Sequence, residues 1–186
     1  MFAKLLKPLI RRELAKFERE WDYDMSYCRE ILEASPEAMM KFNGVMGLAR
    51  HREDVPLAAH YAAKLASVMS EDCGPCTQLV TQMAEREGLP ATELRAILRG
   101  DVAAMSADAS LGYRFAKASL AHDIGADPLR QEIVQRWGRR ALVSLAFGIL
   151  GGRIFPTIKY ALGHGHTCVR VKVGGVDLPV REALPA

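Results

Sequence analysis

Ser70-Glu71-Asp72-Cys73-Gly74-Pro75-Cys76-Thr77-Gln78-Leu79-Val80 sets two thiols three positions apart where a new helix begins. Asp72 is a good N-cap residue, and the helical pattern from Cys73 ends at Gly88, a natural residue to follow a helix. The i, i+3 spacing puts Cys73 and Cys76 on one face, close enough to form a disulfide. A helix N-terminus also stabilises a thiolate and lowers the pKa of its thiol. That is the chemistry of a dithiol redox centre. Two alternatives are a pair of cysteines that only pack and half of a zinc site. Zinc takes about four ligands, and the chain has no second Cys-x-x-Cys.

The segment before the cysteines decides the fold. Pro56 opens an alanine-rich helix running to about Met69, with Leu57, Tyr61, Leu65 and Val68 on one face and His60 and Lys64 flanking it. This helix leads straight into the cysteine loop, so its inner face is expected beside the thiols. The tetrapeptide Cys73-Gly74-Pro75-Cys76 occurs in thioredoxins, but that fold needs a strand just before it. A helical approach excludes it. Within the cysteine helix, Leu79, Val80 and Met83 share the apolar side with the thiols, while Gln78, Thr81, Gln82 and Glu85 face away.

Outward from this centre the chain reads as helices. Residues 2–20 are amphipathic and basic, and Pro8 delays or kinks the start. Tyr27 to Leu32 form a short helical piece. Ser35-Pro36-Glu37 is a start signal: a cap, a proline at the first position and an acid in the first turn. Gly88-Leu89-Pro90 breaks the cysteine helix, and Gly100 stops the short helix that follows. Asp108 is the expected cap of the next helix, which places Leu111, Phe115, Ala118 and His122 on one face. Asp127-Pro128 starts another. Ala141 to Leu150 is apolar all round, which implies burial on every side or a subunit interface. A kink or break is expected at Gly151-Gly152 and Pro156. The apolar run, about a dozen residues ended by Arg153, is too short to span a bilayer.

Near the C-terminus the period changes to two. Val169, Val171 and Val173 alternate with charged residues, Gly174-Gly175 follow, and Val176, Leu178 and Val180 alternate in turn. That is a hairpin signal, with Pro179 marking an edge strand. The fold class is therefore all-α, a helical bundle with a short C-terminal β-hairpin. The chain divides into N-terminal helices (1–55) that pack on the core or on a partner subunit, a helical domain (56–163) and a hairpin tail (164–186).

The composition is that of a globular domain of 186 residues with a net charge of +3, and no basic run interleaved with aromatics suggests nucleic acid. Four cysteines without a disulfide framework, and no secretory signal, imply a reducing, cytoplasmic home. His164, His166 and Cys168 project to one side of an extended chain, but Gly163 and Gly165 mark them more simply as a turn, and no metal is expected there.

From about Pro56 to Gly163 the chain resembles the carboxymuconolactone decarboxylase family, specifically its alkyl hydroperoxidase D-like branch. The likeness lies in the alanine-rich helix, the Cys-x-x-Cys helix start, the Gly-Leu-Pro break and the helices that follow. The branch motif is Glu-x11-Cys-x2-Cys-x3-His. Cys73 and Cys76 match it, while Tyr61 stands at the glutamate position and Val80 at the histidine position. The resemblance implies an all-α homo-oligomer whose cysteines reduce a peroxide or a partner's disulfide, drawing on a dithiol reductant, with no cofactor. With the relay pair replaced, His60 is the candidate base, and by the thioredoxin analogy Cys73 attacks first and Cys76 resolves. The alternatives are a non-enzymatic oligomeric binding protein on the same fold and a decarboxylase-type lyase. No membrane is expected among the partners.

Overall fold

The computed structural model describes residues 6–166 and 170–179. Among them are eight helices and one hairpin: α1 (Lys7–Trp21), α2 (Ser26–Ala34), α3 (Pro36–Arg50), α4 (Leu57–Ser70), α5 (Gly74–Arg86), α6 (Ala91–Arg99), α7 (Ala107–Leu120), α8 (Ala126–Ala161), β1 (Arg170–Val173) and β2 (Val176–Pro179). The all-α reading with a terminal hairpin holds. Local chemistry explains the boundaries. Pro8 sits in the first turn of α1, where a missing N–H costs nothing. The Ser35 hydroxyl accepts the Ala38 N–H at 3.1 Å, with Pro36 and Glu37 in the first turn of α3. Gly100 ends α6 in the left-handed region at φ 67°.

Several helix boundaries and breaks differ from expectation. Asp72 is not the cap of α5: it is left-handed (φ 54°), and Cys73 itself takes the N-cap position. Ser106 rather than Asp108 caps α7, accepting the Ala109 N–H at 3.3 Å. His122 shares no core face; it lies past the end of α7, exposed, at φ 54°. The last helix does not break at Gly151-Gly152 or Pro156. The kink in Ala126–Ala161 lies instead at Gly138 (φ 85°), where two helical stretches join.

Close packing explains why α8 survives its glycines. A Cβ on Gly152 would meet the Ser67 Cβ at 2.6 Å, so only glycine lets α8 lie this close to α4. Gly112 does the same for α7, where a Cβ would stand 2.3 Å from the Ala59 carbonyl oxygen. Two helices thus clamp α4, and every residue from Ala59 to Val68 is buried, His60 and Lys64 included. Full burial of side chains such as Leu65 and Val68 contributes roughly 1.5–3 kcal/mol each.

Helix α4 divides the interior in two. On one side Leu111, Phe115, Ile133 and Leu145 close a core with Ala59, Ala63 and Ala66. On the other, Tyr61, Leu65 and Val68 join Cys73, Cys76, the N-terminal residues Leu14, Tyr23, Tyr27 and Leu32, and the hairpin residues Val171, Val173 and Leu178. The N-terminal helices therefore pack on this chain's own core.

The hairpin pairs Val171 with Leu178 and Val173 with Val176, turned by Gly174 and Gly175 at φ 59° and 77°. Gln78 and Glu85 do not simply face solvent. Gln78 accepts the Lys172 N–H at 2.7 Å and donates to its carbonyl at 3.2 Å, and Glu85 accepts the Gly174 N–H at 2.6 Å. Thr81 is fully buried, its hydroxyl donating to the Thr77 carbonyl at 2.9 Å. Val169 and Val180 lie outside the described residues.

Helix α8 is long and apolar enough to cross a membrane by length and composition, and 39% of its most apolar window is buried within the chain. The segment 141–150 is not covered all round: Val143 and Leu150 are each 45% exposed.

Candidate functional site

The cysteine loop is pinned between α4 and the end of α8. The Tyr160 hydroxyl donates to the Asp72 carbonyl at 2.8 Å, and the Gly74 N–H donates to the His166 carbonyl at 3.1 Å. Thr77 returns both its N–H (2.9 Å) and its hydroxyl (3.0 Å) to the Cys73 carbonyl. The turn that carries Cys73 is thus fixed on both sides. Cys73 and Cys76 are free thiols, and both are buried. Cys73, although it stands at the helix start, is not the more exposed of the two.

Their electrostatics are opposed. The Cys73 thiol is lowered to about 7, chiefly because the Cys76 thiol donates a hydrogen bond to it. Burial works the other way, and the Cys76 amide N–H and the Lys159 ammonium add to the lowering. The Cys73 side chain makes no full capping hydrogen bond, so this amide acts as a dipole pointed at sulfur. Cys76 is raised, first by the same S–H bond and then by burial. Two sulfurs that share one proton titrate as a unit.

A chain of donors reaches Cys76 from the far side. The Tyr23 hydroxyl lies 3.4 Å from Cys76 Sγ, and Lys159 Nζ donates to that hydroxyl at 3.4 Å. Since Lys159 has only protons to offer, the phenol O–H is left to donate to sulfur. Lys159 is 1% exposed, with its ammonium 4.6 Å from the Tyr23 ring centroid and 5.4 Å from that of Tyr27. Burial raises the Tyr23 pKa, so the phenol stays protonated. The caged ammonium and the neutral phenol work against that rise without reversing it: Cys76 stays raised, and the negative charge of the pair rests on Cys73.

Cys76, and not Cys73, lines an apolar cavity of about 90 Å³. Val80, Leu79, Met83, Phe17 and Phe155 form its walls, with Arg50 and Lys64 as its charged members. Val80 therefore does face the thiol cavity.

His60 is placed elsewhere. It borders a second cavity of about 470 Å³ with Tyr61, Arg52, Lys64 and Glu87, and does not line the Cys76 cavity. Burial, then the Lys64 charge, lowers its imidazole to about 3. Its Nδ1 is buried with no hydrogen-bond partner among the described residues. Tyr61 donates to Glu87 at 2.6 Å in the same region. The structure thus unites Cys73 with Cys76 and leaves His60 outside their cavity.

Among the described residues no group of three or more His, Cys, Asp and Glu side chains is arranged to hold a metal. His164 pairs with Glu30 at 2.7 Å, and Cys168 lies outside the described residues. The residues that sequence reasoning missed are Tyr23 and Lys159. They stand 53 residues before Cys76 and 136 residues after Tyr23, and no spacing rule joins them.

No protein-family model, curated protein or solved structure matches this chain at a significant level.

Proposed function

We propose that this protein is a thiol-dependent oxidoreductase that reduces a hydroperoxide or a disulfide with the Cys73–Cys76 pair. The observation that carries the reading is the pair itself: two buried thiols sharing a proton at a helix N-terminus, one of them at the wall of an apolar cavity. The likeness to the alkyl hydroperoxidase D-like branch supports the same chemistry, with the Lys159–Tyr23 chain in place of the branch's relay.

Cys73 holds the charge of the pair at rest, but the cavity meets Cys76, so attack by Cys76 follows transfer of its proton to Cys73, and the order taken from thioredoxin is reversed. Cys73 accepts the Cys76 proton. The Cys76 thiolate then attacks the distal oxygen of R–O–O–H. The S–O bond forms as the O–O bond breaks, and the alkoxide leaves as the alcohol with a proton from the Tyr23 side. Cys73 attacks the resulting sulfenic acid, the S–S bond forms, and water departs. An external dithiol restores both thiols by exchange and is itself oxidised. The sum is hydroperoxide plus dithiol giving alcohol, water and disulfide.

Turnover of an organic hydroperoxide and of a model disulfide with a dithiol reductant tests this in Cys73→Ser and Cys76→Ser. Each substitution is expected to lower turnover at least a hundredfold. If both variants match the wild type on every substrate, the protein is a non-enzymatic binding protein instead.

We also infer a homo-oligomer in a reducing, cytoplasmic setting. The hairpin is already covered by α5 and α6, so the exposed stripe Val143, Ala146 and Leu150 of α8 is the surface left for a second copy rather than for a bilayer. A monomer in light scattering at micromolar concentration would overturn the assembly.

A further inference from the structure

Arg50 borders the Cys76 cavity, the His60 cavity and a third of about 520 Å³ beneath α1 and α3. Lys64 borders the first two and is 7% exposed. A buried ammonium is costly unless an anion faces it. Among the described residues, Lys64 has only the Tyr61 ring, 5.4 Å from its ammonium, and neither it nor Arg50 makes an ion pair. The acid that Lys64 feels is Glu87, and that carboxylate is taken up by the Tyr61 hydroxyl at 2.6 Å and by Arg52 at 3.3 Å. Two cations without an ion pair of their own among the described residues, Lys64 buried and Arg50 exposed, therefore line the same apolar cavity as the Cys76 thiol.

We propose that this cavity takes an alkyl hydroperoxide bearing a carboxylate, with the carboxylate between Lys64 and Arg50 and the alkyl chain running past Val80 and Leu79 toward Cys76. The assignment rests on the redox reading above for its chemistry, and on the two cations for its charge. The carboxylate is unchanged in the reaction; the hydroperoxide becomes the alcohol while the dithiol becomes the disulfide. A neutral alkyl hydroperoxide fills the walls but leaves both cations bare, so an acid should be preferred over its ester.

Binding separates this inference from the catalytic one, because it needs no oxidant. Isothermal titration of the reduced protein with octanoate and with octan-1-ol is expected to show octanoate binding at least tenfold tighter. Lys64→Met should abolish that preference, and Arg50→Gln, at an exposed position that folding tolerates, should cut it at least threefold. In turnover, the KM gap between a carboxylate-bearing hydroperoxide and its methyl ester should close in both variants. Equal binding of octanoate and octanol by the wild type, absence of binding by either, or retention of the preference in Arg50→Gln overturns the assignment. A carboxylate preference without cysteine-dependent turnover would instead sink the redox reading and leave the ligand class standing.

Discussion

Cys73 and the His60–Lys64 pair of α4 are buried to similar depth and obtain opposite results. Around His60 and Lys64 burial decides: the imidazole falls to about 3 and the ammonium to about 8, each toward its neutral form. At Cys73 the partner decides, and a buried thiol is lowered to about 7. Cys28 is the control within the same core. It also lies in the field of Lys159, yet burial pushes it up to about 11. Proximity to the cation is thus not enough. Cys73 differs in standing at a helix N-terminus with a second thiol pointed at it.

The sharpest way to break this contrast is to remove the donor. Cys76→Ala should carry Cys73 above the ordinary thiol value of about 8.5, so that its alkylation at pH 7 slows more than tenfold. Cys76→Ser keeps an O–H donor and should slow it less. Equal rates in the two variants would mean that the Cys76 hydrogen bond does not set the Cys73 thiol.

At His60 and Lys64 the contrast is one of stability. The unfolded chain binds a proton on His60 below about 6.5, while the folded chain refuses it down to about 3. Stability should therefore fall with pH through that window, by about 1.4 kcal/mol per unit relative to His60→Phe, or roughly 2 kcal/mol by pH 5. Parallel stability curves for the two proteins between pH 7 and 5 would contradict it. Lys64 runs the other way. Its folded value of about 8 lies below its ordinary 10.5, so the wild type gains stability as pH rises between them. Lys64→Met should be more stable at pH 7 by on the order of 1–2 kcal/mol, with the advantage fading by pH 10.5. Denaturant midpoints at the two pH values measure it.

The smallest effect belongs to the relay. Tyr23→Phe removes the O–H that faces Cys76 and should slow peroxide reduction roughly three- to tenfold, the usual scale for one neutral hydrogen bond at about 1 kcal/mol. An unchanged rate would leave Lys159 without a path to the sulfur.

How much of this was legible depends on range. Caps and turns are local, so Ser35-Pro36, Gly100 and the Gly174-Gly175 hairpin could be read directly. Cys73 and Cys76 were legible because their partnership is one helical turn long. Gly151, Gly152 and Pro156 misled, since a glycine that weakens a helix in isolation is also the residue that lets two helices touch, and only tertiary packing decides between them. Asp72 misled because Asp also tolerates the left-handed conformation it adopts here. His60 looked near the thiols because α4 runs into their loop, but a fully buried helix has more than one inner face. Tyr23 and Lys159 were invisible for the plainest reason: their meeting is created by the packing of α1, α2 and α8, not by any motif.

The reduction potential of the Cys73–Cys76 pair tests the central claim most directly. Equilibration of the protein in glutathione and dithiothreitol buffers, read by thiol labelling and mass, should show one reversible two-electron step between these residues. Its midpoint should fall between roughly −270 and −200 mV, the span from thioredoxin to glutaredoxins, with Cys28 a thiol throughout. Failure to form the Cys73–Cys76 disulfide at any potential would contradict the account.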